Sequence, residues 1–137
     1  MIVSFTGTRQ GMTKRQIKTF VNLMYEVGMQ TLIHGDCVGA DADAHILAME
    51  QMIDVLKRPC NIERQRAFTE GGRVVAEPEA PLIRNRKIVD DGEQLIACPA
   101  TFQEEQRSGT WATIRYAKRN DKSVIIIWPD GSRRYDY

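Results

Sequence analysis

The chain has 137 residues, 42% of them hydrophobic and 27% charged, proportions of an ordinary globular domain that exclude a disordered or fibrous protein. Its 19 Lys and Arg against 18 Asp and Glu leave a formal net charge of +1, which removes the single-sign field that drives non-specific nucleic-acid binding. No run of about 18 apolar residues predicts a membrane span, and the start leads directly into a strand pattern rather than a signal peptide, so a soluble, cytoplasmic protein is expected.

The apolar stretch Ile2 to Thr6 reads as a strand that ends in Gly7-Thr8-Arg9. From Thr13 to Val27, Ile17, Phe20, Val21, Met24 and Val27 recur at the spacing of a helix with one buried stripe. Thr13 with Gln16 forms a capping box, and Gly28 supplies the stop. A second strand, Thr31 to His34, runs into Gly35-Asp36-Cys37-Val38-Gly39-Ala40-Asp41, then a helix is expected from about Ala42 to Met52. Ile53 to Leu56 reads as a third strand. Residues 61–80 are polar, carry Gly71-Gly72 and show no sustained periodicity, which predicts a long functional loop or lid.

Pro81 suits the first position of a helix reaching about Asp90, with Leu82, Ile83 and Val89 as core residues. Leu95 to Cys98 is a fourth strand, Ser108 to Arg119 a helix with Trp111, Ile114 and Ala117 inward, and Ser123 to Trp128 a fifth strand. Apolar runs without polar alternation suit parallel strands covered on both faces. The expectation is one α/β domain over residues 1–137, three layers deep, with a mainly parallel five-stranded sheet in the order 3-2-1-4-5. Cys37, Cys60 and Cys98 are widely spaced with no CxxC pair, so neither a disulfide framework nor a metal site is expected.

That order reverses between the first and fourth strands, and ligands of open α/β sheets bind outside the carboxyl ends of strands at such a reversal. Gly7, Thr8 and Arg9, the segment His34, Gly35, Asp36, Gly39 and Asp41, and the segment leading to Ser108, Gly109 and Thr110 should therefore converge. Ser108-Gly109-Thr110 opens a helix whose free amides and dipole favour a phosphate, unless Ser108 is only the N-cap. Asp41 either caps the next helix or, with Asp36, accepts from ribose hydroxyls. Arg84 and Asn85, inside Arg84-Asn85-Arg86-Lys87, are either a solvated basic face or part of a phosphate clamp. His34 reads as a hydrogen-bonded strand-end residue rather than a metal ligand. Trp111 or Phe102 could stack on a base, and either could equally be core. Arg115, Lys118, Arg119 and Lys122 read as a solvent face, with Trp111 and Tyr116 nearby leaving room for single-strand contact.

Gly7-Thr8-Arg9, His34-Gly35-x-x-x-Gly39-Ala40-Asp41, Pro81-Leu82-Ile83-Arg84-Asn85-Arg86 and Ser108-Gly109-Thr110, in this order, resemble the SLOG superfamily, most closely its YspA- and YpsA-related branch. The resemblance spans Ile2 to about Gly131. It implies a Rossmann-like sheet binding a nucleotide or a nucleotide-derived ligand related to ADP-ribose, with no further cofactor required, and self-association into a dimer or larger homo-oligomer. The superfamily also includes the LOG phosphoribohydrolases, with a PGGxGTxEE loop and an Arg-Lys pair on the preceding helix, and the DNA-processing protein A that loads recombinase on single strands.

Arg86-Lys87 and Gly109-Thr110 are similar to that hydrolase pattern, but Ala112 and Thr113 stand where it has two glutamates. N-glycosidic cleavage needs charge stabilisation at ribose and a group to handle the proton of the attacking water. Ala112 does neither. A hydrolase would need Asp36, Glu104 or Glu105 as the carboxylate, with Arg86 beside it. Nucleotide binding as sensor or carrier is therefore placed above phosphoribohydrolase activity, and single-stranded DNA binding third.

Overall fold

The computed structural model describes residues 1–136. The chain alternates strands and helices: β1 Ile2–Gly7, α1 Lys14–Glu26, β2 Thr31–His34, α2 Ala40–Glu50, β3 Asp54–Lys57, β4 Arg73–Val74, α3 Pro81–Asp91, β5 Gln94–Cys98, α4 Gly109–Arg119, β6 Ser123–Ile127 and β7 Arg133–Asp136. One sheet carries them in the order β4-β3-β2-β1-β5-β6-β7. The five expected strands form its centre in the expected order, all parallel.

Two further strands enlarge the sheet from five to seven. β4 lies parallel to β3, with Leu56 opposite Arg73, and β7 returns antiparallel to β6, with Ile127 opposite Arg133. Both are edge strands with partly or fully exposed side chains, so neither carries the apolar run that marks a buried strand.

Side-chain alternation along the strands divides the interior into two layers. Val3, Phe5, Ile96 and Cys98 face Phe20 and Leu23 of α1 and Ala40, Ala44 and Ala48 of α2. Leu95, Ala97, Val124 and Ile126 face Val89 of α3 and Trp111, Ile114 and Ala117 of α4. Helices therefore cover both faces of the sheet. No helix among the described residues is long and apolar enough to cross a membrane.

The capping box of α1 forms as expected, with Thr13 Oγ1 accepting from the Gln16 amide at 3.0 Å and Gln16 Oε1 from the Thr13 amide at 2.9 Å. In α3 the buried stripe differs from the expected one. Arg84, Ile88 and Val89 point inward, whereas Leu82 is 58% and Ile83 53% exposed. The guanidinium takes the place of an apolar side chain because backbone carbonyls receive it there.

Residues 61–80 form a strap rather than a free loop, with a one-turn 3-10 helix at Glu63–Gln65 and then β4. Asp36 Oδ1 accepts from the Thr69 amide at 3.1 Å and from its hydroxyl at 2.7 Å. Lys57 Nζ donates to the Thr69 carbonyl at 2.8 Å, and the Ala67 amide donates to the Asp36 carbonyl at 2.7 Å.

Candidate functional site

β1 and β5 are neighbours whose connections run in opposite directions, so their carboxyl ends, paired at Gly7 and Cys98, flank the reversal point. A crevice of about 360 Å³ opens there, within the range of small-molecule sites. Gly7, Thr8, Arg9, Asp41, Arg84, Asn85, Ser108, Gly109 and Thr110 all line it. Four segments far apart in sequence, around Gly7, Asp41, Arg84 and Ser108, thus meet at the reversal.

Two glycines bring the first two segments together. A Cβ on Gly7 would stand 2.5 Å from the Cβ of Ala40. Gly39 has φ +93° and lies against the backbone of Arg9, a conformation and an approach that both exclude larger residues. The Ala40 amide consequently donates to the Thr8 carbonyl at 2.9 Å. The amino end of α2 also bears Asp41 and Asp43 in its first turn, which makes it a poor receptor for an anion.

The amino end of α4 is different. Ser108 is its N-cap, with Oγ accepting from the Trp111 amide at 3.3 Å. Among the described residues, the Gly109 and Thr110 amides have no acceptor, and both residues line the crevice. Ser108 therefore caps the helix and leaves two donors for a ligand.

Arg84 forms the inner wall. Its side chain is buried, with Nη1 donating to the Gly35 carbonyl at 2.5 Å and to the Arg58 carbonyl at 3.3 Å, and Nη2 facing Cys37 Sγ at 3.5 Å. Nε has no acceptor. None of these three partners carries a formal negative charge, and a buried donor left unpaired is costly until something accepts from it.

Asp41 lies beside it. One oxygen, Oδ2, accepts from the Gly35 amide at 3.1 Å and the Cys37 amide at 3.2 Å, so Asp41 ties the β2 turn rather than capping α2. Burial pushes its carboxyl up to about 6, against the opposing pull of Arg84 and those two amides. Glu105 also lines the crevice, its Oε1 accepting from the Thr101 hydroxyl at 2.7 Å. Burial raises the Cys37 thiol to about 11, which makes it a poor nucleophile at neutral pH.

Several expected site residues face elsewhere. Asp36 adopts φ 53°, which turns its carboxylate toward Thr69 of the strap, with Arg66 Nη2 at 3.6 Å from Oδ2. His34 is fully buried, and its Nε2 and His45 Nδ1 are 2.9 Å apart. Gly35 and Gly39 shape the turns without lining the crevice. Arg86 lies over the Tyr116 ring at 5.4 Å, Lys87 pairs with Glu79, and Glu104 pairs with Arg115 at 2.7 Å. The Arg86, Asp36 and Glu104 candidates for catalysis are thereby separated from the crevice. Trp111 borders it, but the ring is 2% exposed and packs on Trp128, while Phe102 stacks on the same Trp128 away from the crevice. Gln10 and Gln65 join the lining unforeseen. Gln65 arrives through the strap, held there by the Val38 amide donating to the Gln65 carbonyl at 3.0 Å and by the adjoining Cys37–Arg66 bridge.

No family model matches the sequence, and no curated protein matches it. Solved structures do match. A molybdenum cofactor binding protein from the phototrophic bacterium Rippkaea orientalis is 20% identical with a TM-score of 0.68, the match covering 93% of this chain and 76% of that one. DNA processing protein A from Streptococcus pneumoniae is 18% identical with a TM-score of 0.64, over 90% of this chain and 49% of that one. The same protein from Helicobacter pylori, solved for its single-stranded DNA binding mode, is 18% identical with a TM-score of 0.62, over 92% and 64%. The chain thus spans about half the length of the Streptococcus protein. At these identities the likeness concerns architecture alone, a Rossmann-like α/β sheet.

Proposed function

We propose that the protein binds a nucleotide or nucleotide-derived ligand, of the nucleoside phosphate or ADP-ribose kind, in the crevice between β1 and β5, as a sensor or carrier. The observation that carries the reading is the buried Arg84 guanidinium, a residue that lines the same crevice as the two free amides at the start of α4. Such a pair of donors suits an anion. A charged hydrogen bond contributes about 1.5 to 3 kcal/mol before association costs, so two or three leave little net affinity. Micromolar binding needs about 8 kcal/mol, which asks for ribose and base contacts as well. Asp41, with one oxygen unengaged by the chain, is the acceptor in place for a ribose hydroxyl. A molybdenum cofactor binding protein among the structural neighbours agrees with an anionic small-molecule ligand.

The hydrolytic alternative has one observation in its favour: Asp41, with its carboxyl near 6, and Glu105 both line the crevice, and a carboxyl titrating close to neutrality suits general acid or base work. Incubation with nucleoside monophosphates, NAD, ADP-ribose and cyclic nucleotides, followed by ultrafiltration and mass spectrometry, separates the two. Retention of an intact nucleotide is expected; a free base with ribose phosphate establishes the hydrolase instead. Gly109→Asp places a carboxylate where a Cβ meets nothing within 4 Å, so the fold survives while retention is lost. Unchanged retention in that variant would overturn the assignment of the site.

A further inference from the structure

α3 and α4 lie side by side on one face of the sheet, and both begin at the crevice. The groove between them continues past the first turn of α4 into a second hollow of about 200 Å³. Asn85 lines both cavities. Pro81 and Trp111 border the first, and their chain neighbours Leu82 and Ala112 border the second. The two hollows are consecutive stretches of one trough.

The second hollow has its own chemistry. Leu82, 58% exposed, and Ala112 give it an apolar lining. Tyr116 stands in its wall, held by a 2.8 Å hydrogen bond from its hydroxyl to Asp90 Oδ1. Arg86 lies over that ring at 5.4 Å, and Arg119 completes the wall. Among the described residues, Arg86 and Arg119 take part in no ion pair. The nearby Arg115 is neutralised by Glu104. An apolar lining, a fixed aromatic and two uncompensated guanidiniums are the elements that receive a base and its phosphate.

We infer that the groove between α3 and α4 is a second subsite, which takes a phosphate-linked nucleotide unit attached to the one held in the crevice. The inference rests on the crevice being a nucleotide site. The ligand is then of dinucleotide size, with one unit by Arg84 and Gly109 and the next by Arg86, Tyr116 and Arg119. The same chemistry is offered by a free dinucleotide and by the end of a single strand.

Calorimetric titration with dAMP, with the dinucleotide pdApdA and with a ten-residue pdA oligomer tests this. The dinucleotide is expected to bind at least about tenfold more tightly than dAMP. In the Arg86→Ala/Arg119→Ala variant, folded by circular dichroism, that gain is lost while dAMP affinity stays within about twofold, because neither arginine lines the crevice. A plateau from dinucleotide to decamer marks a free dinucleotide-sized ligand; a continued rise marks a strand. Equal binding of dAMP and pdApdA, or a gain that survives in the double variant, overturns the subsite and leaves the crevice reading intact. Binding of pdApdA that needs Arg86 and Arg119, with no binding of dAMP and no effect of Gly109→Asp, overturns the crevice reading instead. A dimer in sedimentation that Leu82→Asp dissociates overturns the subsite by assigning the groove to a second copy.

Discussion

At the end of β2, burial acts on Asp41 and His34 with opposite consequences for charge. The Asp41 carboxyl rises from 3.8 to about 6, mainly through desolvation. The His34 imidazole falls from 6.5 to about 3, through desolvation first and His45 second. The hydrogen bonds set the tautomers of the neutral pair: the Asp36 amide donates to His34 Nδ1 at 2.8 Å, so His34 Nε2 carries the proton and donates to His45 Nδ1, and His45 Nε2 donates to the Glu70 carbonyl at 2.7 Å. Folded His34 refuses a proton that the unfolded chain accepts below 6.5, so its contribution to stability is lost as pH falls from 6.5 toward 3. Folded Asp41 accepts a proton that the unfolded chain releases above 3.8, so its contribution is present in acid and lost as pH rises through 6. Between about pH 6 and 4 the two slopes, each about 1.4 kcal/mol per unit, oppose one another. Asp41→Asn keeps an acceptor for the Gly35 and Cys37 amides and deletes only the second slope. Urea unfolding at pH 6.5 and 4.5 should therefore show the parent chain gaining on the variant by about 2 kcal/mol at the lower pH. A constant difference between them would mean that Asp41 titrates as an ordinary surface carboxyl.

The elements with strong local signals were legible in the sequence, and those made by their neighbours were not. The capping box at Thr13 and Gln16 and the Pro81 start marked α1 and α3 because those signals act within a single turn. β4, two residues long, exists because the strap is pinned at Thr69 and Glu70 before it runs along β3. Nothing in Arg73-Val74 announces that. The interior of α3 was misread for a related reason: Arg84 looks solvated in sequence, and only the Gly35 and Arg58 carbonyls make its burial tolerable. Helix geometry then swings Leu82 and Ile83 outward. Leu82→Ala is accordingly expected to change stability by less than about 0.5 kcal/mol, whereas Ile88→Ala, 2% exposed in the parent chain, should cost about 2 to 5 kcal/mol. Chemical denaturation of both variants checks the orientation of the helix; similar losses would restore the stripe that the sequence suggests.

For the whole molecule, strand order was enough to bring Gly7, Arg9 and Gly109 into one crevice, because the reversal between β1 and β5 is a property of connectivity rather than of side chains. Side-chain direction was the part that connectivity could not supply, as the turned-away Asp36 shows. Charge is also a whole-molecule property, and at +1 the protein has no strong net field to gather a polyanion from solution. Of the cations without an ion pair among the described residues, Arg9, Arg84 and Arg107 line the crevice and Arg86 and Arg119 the groove. Binding through one or two phosphates should weaken by no more than about tenfold as salt rises from 50 to 200 mM, whereas a strand neutralised at six or more phosphates loses about a thousandfold over the same interval. Fluorescence anisotropy with the labelled ten-residue pdA oligomer across that range distinguishes the two regimes. A shallow response keeps recognition inside the trough that α3, α4 and the ends of β1 and β5 enclose. A steep one would require a basic surface extending well beyond it, and would move the molecule from small-ligand recognition to strand binding.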